Sequence, residues 1–271
     1  MEGRRKVSVL LLSIILLLSV QPQNIANAGI RVPVDDTLRK QILNATILIS
    51  VLAPADQGQK QAGASTKPEG YETIVMTKLD GLGTLVQAEG ERWIVTHNHW
   101  GGLVERMSIA RFYNAGGELL LAMSGDEFRG LIRFRDKGTM VLQAPEALTA
   151  TSPADHETPS PAPTGAEMPK EGATVFFIHP KIGQEGQFEV LPAYVASINV
   201  DGIPTLKVHT PNGVIIRGGN SGGGVWFNGH YIGNVWATVL RTEVSGSTFQ
   251  TEESLTNESY VALFNPGMVQ N

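Results

Sequence analysis

Short apolar runs broken by turn residues dominate the chain, and only one run is longer than a strand needs. That run, Val7 to Val20, follows the basic start Arg4-Arg5-Lys6 and leads into a polar stretch ending Ala26-Asn27-Ala28. Basic, apolar and small-x-small segments in that order predict an export signal over residues 1–28, with cleavage after Ala28. The alternative is a retained anchor. The run falls short of the ~20 residues that cross a bilayer, so no stable membrane span is expected after cleavage. The mature chain is expected to be secreted or held in the cell envelope.

Leu38, Ile42 and Leu43 share one side of a helix expected within Asp35 to Ile47, with Asp36 as its N-cap. Ala45 to Leu52 reads as a strand, and the Gln-, Gly- and Ser-rich Asp56 to Lys67 as a surface loop. From Tyr71 the pattern is of short strands: Thr73–Met76, Gly83–Val86, Trp93–Thr96, Leu131–Phe134 and Thr139–Leu142. Ala144 to Lys170 is rich in Pro, Ser, Thr and Ala, has no period, and is expected to be a flexible connector that buries little. Strands resume at Ala173–Ile178 and continue through Phe188–Leu191, Tyr194–Val200, Leu206–His209, Gly224–Phe227 and Tyr231–Leu240. This texture predicts an all-β sandwich or barrels rather than βαβ units. The division is a first β unit over 29–143, a connector over 144–170 and a second β unit over 171–271, which points to two barrels.

The expected mature length, 271 − 28 = 243 residues, buries enough apolar surface for stability without covalent staples. The chain has no cysteine, which excludes disulfides and thiolate metal sites. Net charge is −5, and no Lys/Arg cluster occurs outside the signal. Nucleic-acid binding needs a basic face that is missing here; a peptide or small-molecule substrate is expected instead.

Three segments carry candidate chemistry: Ile94-Val95-Thr96-His97-Asn98-His99-Trp100, Asp136-Lys137-Gly138-Thr139-Met140-Val141-Leu142, and Gly219-Asn220-Ser221-Gly222-Gly223-Gly224-Val225. A serine hydroxyl attacks only when a base takes its proton, and the resulting oxyanion needs pre-positioned donors. Glycines around Ser221 let successive N–H groups turn into one pocket, although an ordinary Gly-rich turn has the same look. The segment also matches the G-x-S-x-G elbow of α/β-hydrolases. That elbow requires a helix after the serine, then an acid, then a histidine. Here a β-hairpin across Asn228-Gly229 follows, no Asp lies downstream, and every downstream Glu comes after His230. His97 competes with His99 as base. Asp126 competes with Asp136 but follows Ser124-Gly125 and reads as a turn. His156, His179, His209 and His230 read as surface or packing residues, and two histidines alone are a poor zinc site, so no metal is expected.

In the order His, Asp, Ser, the three segments resemble the trypsin-like (chymotrypsin-fold) serine peptidases of the disulfide-free bacterial type. Gly83–Val86 with Ile94–His99 is similar to the first-barrel hairpin ending Thr-Ala-Ala-His, Asp136–Leu142 to Asp-Ile-Ala-Leu-Leu, and Gly219–Gly223 to Gly-Asp-Ser-Gly-Gly. The resemblance spans about Ala45 to Asn265. It implies two six-stranded antiparallel β-barrels with the active site in the cleft between them. It further implies Ser221 as nucleophile, His99 as proton shuttle and Asp136 as the acid that orients the imidazole. The N–H groups of Gly219 and Ser221 would form the oxyanion hole, Ile215 would lie at the base of the specificity pocket, and Trp236-Ala237-Thr238 would pair with substrate backbone. The implied activity is an endopeptidase acting on protein or peptide through an acyl-enzyme, without a cofactor.

Departures from the pattern are informative. Asn220 stands where zymogen-type members have an aspartate, so activation by an ion pair to a new N-terminus is not expected. The HtrA-like proteases share this Asn, but the 271 − 221 = 50 residues after Ser221 are too few for a PDZ module. Gly224 replaces a common proline and Trp100 a cysteine. Ile215 offers no carboxylate for a basic P1 side chain. The alternatives are a catalytically inactive fold that binds proteins or peptides, and a general esterase.

Overall fold

The computed structural model describes residues 33–54, 76–148, 159–165, 167–181, 187–199, 204–211, 214, 216, 219–245 and 250–269, and within 238–256 only the main chain. The expected signal, the 56–67 loop and Ile215 lie outside these residues.

The described chain opens with helix α1 (Asp36–Ala45). Asp35, not Asp36, is its N-cap, with a carboxylate oxygen accepting the Leu38 N–H at 3.2 Å. The Thr46 hydroxyl donates to the Ile42 carbonyl at 2.8 Å, and the chain passes directly into β1 (Thr46–Pro54). There follow β2 (Met76–Ala88), β3 (Glu91–Thr96), α2 (Leu103–Arg106), β4 (Ile109–Asn114), β5 (Leu119–Ser124), α3 (Gly125–Leu131), β6 (Ile132–Arg135) and β7 (Met140–Gln143). These strands form one sheet in the order β5-β4-β1-β2-β3-β7-β6.

Asp126 lies in helix α3 rather than in a turn. Ser124 and Glu127 form a reciprocal capping box that starts the helix. Phe128 is thereby driven into the core, with ring centroids 6.1 Å from both Trp100 and Phe112. Because α3 connects the two end strands β5 and β6, the first half is a barrel-like sheet. It holds eight strands rather than the six expected. One of the two added strands comes from the Pro/Ser/Thr-rich connector, where β8 (Ala162–Pro163) runs parallel to β2 and pairs Ala162 with Val86. Ala162 and Leu148 are both buried, so the described parts of the connector supply apolar side chains to the sheet.

The second half is a closed barrel of β9 (Thr174–Pro180), β10 (Phe188–Asn199), β11 (Thr205–His209), β12 (Gly224–Phe227), β13 (His230–Ser245) and β14 (Gln250–Leu263). Strand β10 runs unbroken through Pro192, where two strands were expected. The composition of β14 (Gln-Thr-Glu-Glu-Ser at its start) hides it in the sequence, yet it pairs with both β11 and β13. The expected two-barrel, all-β architecture is the one observed.

Alternation along the strands explains how the halves join. On β3, Ile94 faces the first core with Leu85, Met140 and Leu142. Its neighbours Trp93 and Val95 face the other way, into a layer shared with Leu82, Val86, Ile178, Trp226 and Tyr231. Strands that read as continuously apolar are therefore covered on both faces. Polar ties cross the same junction: the Thr139 hydroxyl to Asn234 Oδ1 at 3.0 Å, and Asn234 Nδ2 to the Gly138 carbonyl at 3.1 Å. Among the described residues no helix is long and apolar enough to cross a membrane.

Candidate active site

Strand β3 ends at Thr96, whose hydroxyl donates to the Leu82 carbonyl at 2.5 Å. The chain then curls, with the Gly101 N–H on the Asn98 carbonyl at 3.3 Å and the Leu103 N–H on that of Trp100 at 2.7 Å. Strand alternation stops before His97, so it does not decide where that side chain goes. His97 turns inward and is 3 % exposed, while His99 stays on the surface. Their ring centroids are nevertheless only 4.8 Å apart.

His99 Nδ1 lies 3.2 Å from the Ser221 hydroxyl oxygen. Neighbouring groups strip part of the imidazole's hydration and lower its pKa, which favours the neutral ring. A neutral ring with its lone pair at Nδ1 can accept the serine proton, the first requirement of nucleophilic attack.

Ser221 is presented by a loop whose main chain is bonded on several sides. Its carbonyl accepts the Leu82 N–H at 2.9 Å, across the junction from β2. The Gly222 N–H donates to the Val235 carbonyl and the Val235 N–H to the Gly223 carbonyl, both at 2.9 Å. Gly219 and Gly222 have φ of 97° and 82°, backbone that side-chain-bearing residues seldom adopt. At Gly222 a Cβ would also collide with the Leu82 carbonyl. Asn220 is fully buried and donates from Nδ2 to the Ile178 carbonyl at 3.1 Å, with His179 Nδ1 at the same distance. The residue in the zymogen-aspartate position is thus bonded to β9. His179, read from the sequence as an ordinary packing residue, lies buried beneath the serine loop. Among the described residues no acceptor takes the N–H of Gly219 or Ser221, the two expected oxyanion donors.

Asp136 is placed differently from the expectation. One carboxylate oxygen accepts the N–H groups of Gly138 at 2.8 Å and Thr139 at 2.7 Å, and the Asp136 N–H donates to the Thr139 carbonyl at 2.9 Å. Asn98, between the two histidines, bonds the Asp136 carbonyl, and its Oδ1 accepts from Arg135 Nε at 2.7 Å. Among the described residues no hydrogen bond joins Asp136 to His99. Gly138 instead lies against the Trp236 ring, where a Cβ would come within 3.2 Å.

Of the expected substrate strand, Trp236 lies at a register shift between Val235 and Ala237, and its ring is 6.5 Å from that of Tyr260. Ala237 pairs with Tyr260, its carbonyl accepting the Ser259 hydroxyl at 2.6 Å, and Thr238 pairs with Ser259. This part of β13 leads directly away from the serine loop.

No family model matches the chain, and no curated protein matches it. Among solved structures it is similar to a variant of the HtrA-type protease AlgW with a decapeptide, at TM-score 0.51 and 12% identity, over 84% of this chain and 62% of that one. The fold is chymotrypsin-like. It is also similar to the inactive form of a Rv3671c mutant from M. tuberculosis H37Rv (TM-score 0.48, 15% identity, 85% of this chain and 86% of that one). The active form of the Rv3671c protease from M. tuberculosis gives TM-score 0.48 and 16% identity, over 84% of this chain and 82% of that one. The present chain thus spans about three-fifths of that AlgW chain's length.

Proposed function

We propose that the chain is an exported serine endopeptidase. Ser221 attacks the scissile carbonyl, His99 takes and returns the proton, and the N–H groups of Gly219 and Ser221 receive the oxyanion. The observation that carries this reading is the 3.2 Å approach of His99 Nδ1 to the Ser221 hydroxyl across the junction of the two halves. In this reading substrate backbone aligns along Trp236, Ala237 and Thr238, and the acyl-enzyme forms on Ser221 and is released by water. Asp136 is the third member suggested by family resemblance. Its carboxylate is engaged in its own turn, so the proton transfer proposed here rests on the serine–histidine pair.

Fluorophosphonate labelling tests the reading. The mature protein should label, and Ser221→Ala and His99→Ala should not. Hydrolysis of peptides, and not only of simple esters, separates an endopeptidase from a general esterase. The absence of a hydrogen bond from Asp136 to His99 among the described residues favours one second reading, a peptide-binding module without turnover. Folded parent protein that fails to label but retains peptides would establish that reading instead. Export is tested by finding Gly29 as the N-terminus of the mature chain outside the cytoplasm.

A further inference from the structure

His97 is a buried imidazole that the proposed chemistry does not use. Its Nδ1 accepts the N–H of His99 at 2.9 Å. Its ring lies between two glycines on opposite sides of the junction: a Cβ at Gly81 of β2 would fall on its Nε2, and one at Gly222 would come within 2.9 Å of its Cδ2. The ring therefore touches the residue that follows the nucleophile while its Nδ1 holds the main chain of the base. The Trp100 ring closes the pocket, at a centroid distance of 4.6 Å.

We propose that His97 is a positioning residue for the Ser221–His99 pair, fixing the His99 main chain through its Nδ1 and spacing it from the serine loop with its ring. The inference rests on the serine-peptidase reading of that pair. It gains force from what His97 costs the fold. Accepting at Nδ1 leaves the proton on Nε2, and that atom is buried with no hydrogen-bond partner among the described residues. A buried donor without a partner is unfavourable. A leucine would occupy similar space without that cost, so the advantage of histidine lies at Nδ1. The ring is also held in the form that accepts. Burial first, and the neighbouring His99 second, push its pKa down to about 3, so Nδ1 keeps its lone pair at neutral pH.

Asparagine and leucine separate the acceptor from the volume. Asparagine carries an oxygen at the same number of bonds from the main chain as Nδ1, and leucine carries a methyl group there. The maximal rate of fluorophosphonate labelling of Ser221 should fall about 100-fold in His97→Leu, as for a misplaced catalytic group, and stay within about threefold of the parent in His97→Asn. The reagent concentration giving half the maximal rate should not change in either. Amide hydrogen exchange at His99 should be slow in the parent and His97→Asn and fast in His97→Leu. If His97→Leu does not fold, judged by circular dichroism, His97→Ala replaces it in the same comparison.

Labelling of His97→Leu at the parent rate overturns the proposal. So does a folded His97→Asn as slow as the leucine variant, because then the acceptor is irrelevant. Absence of labelling in the folded parent overturns the serine-peptidase reading first, and this inference with it.

Discussion

The loop carrying Ser221 is bonded to three separate strands, whereas the carboxylate of Asp136 is bonded only within its own turn among the described residues. Ser221, Gly222 and Gly223 use β2 and β13, and Asn220 reaches β9. Asp136 closes its turn within four residues, through the N–H groups of Gly138 and Thr139. A short acidic side chain that bonds its own following N–H groups competes with any longer-range partner. The serine's position is set by tertiary structure. The orientation of the acid's carboxylate is held by local N–H groups, and no hydrogen bond joins it to His99 among the described residues.

The sharpest break of this contrast is at the nucleophile. Ser221→Ala and His99→Ala should each lose about 10⁴-fold or more in kcat, measured as peptide turnover. Next is Gly222→Ala, which forces a side chain into positive φ against the Leu82 carbonyl. It should cost more than about 1 kcal/mol, visible as a Tm lowered by about 2–4 °C per kcal/mol, and slow Ser221 labelling. Gly130→Ala is the control, because nothing lies within 4 Å of its added Cβ. Asp136→Asn should lower kcat less than about tenfold, since an acid that orients the base would be worth about 10⁴. A loss of that larger size would mean that the turn opens during catalysis and the carboxylate reaches His99.

A separate effect, on folding rather than turnover, is on stability against pH. His97 has its pKa at about 3 in the folded protein against an ordinary 6.5. Above 6.5 neither folded nor unfolded chain is protonated there, and the group is neutral to stability. Between 6.5 and 3 only the unfolded chain takes the proton, so stability falls as pH falls, by up to about 1.4 kcal/mol per pH unit. Urea unfolding at pH 7 and pH 5 should show this slope in the parent and a shallower one in His97→Asn. The catalytic acid limb has the same origin: activity needs neutral His99, whose pKa is lowered, so kcat/KM should hold below the usual histidine range before it declines.

The parts legible in the sequence were those set by short-range pattern. Short apolar runs bounded by turn residues located β3, β9 and β12, and the spacing of glycines around Ser221 identified a loop that must turn tightly. The acid was not legible because the same Asp-x-Gly-Thr run that heads a strand also closes a turn. Spacing alone does not separate His97 from His99, because β3 ends at Thr96 and its alternation reaches neither residue. Strand β14 escaped because its polar residues are held by ladders to β11 and β13, a support that composition does not register. Asp126 read as a turn because the Ser124–Glu127 capping box competes with the glycine between them.

On the serine-peptidase reading, the bond from the Leu82 N–H to the Ser221 carbonyl has a consequence for when the molecule becomes dangerous to other proteins. The attacking hydroxyl and its base come from opposite halves, and the strut that seats the serine spans them. A chain with only one half folded carries no armed nucleophile. On that reading, docking of the halves would be a safety catch, released when the contacts between them have formed.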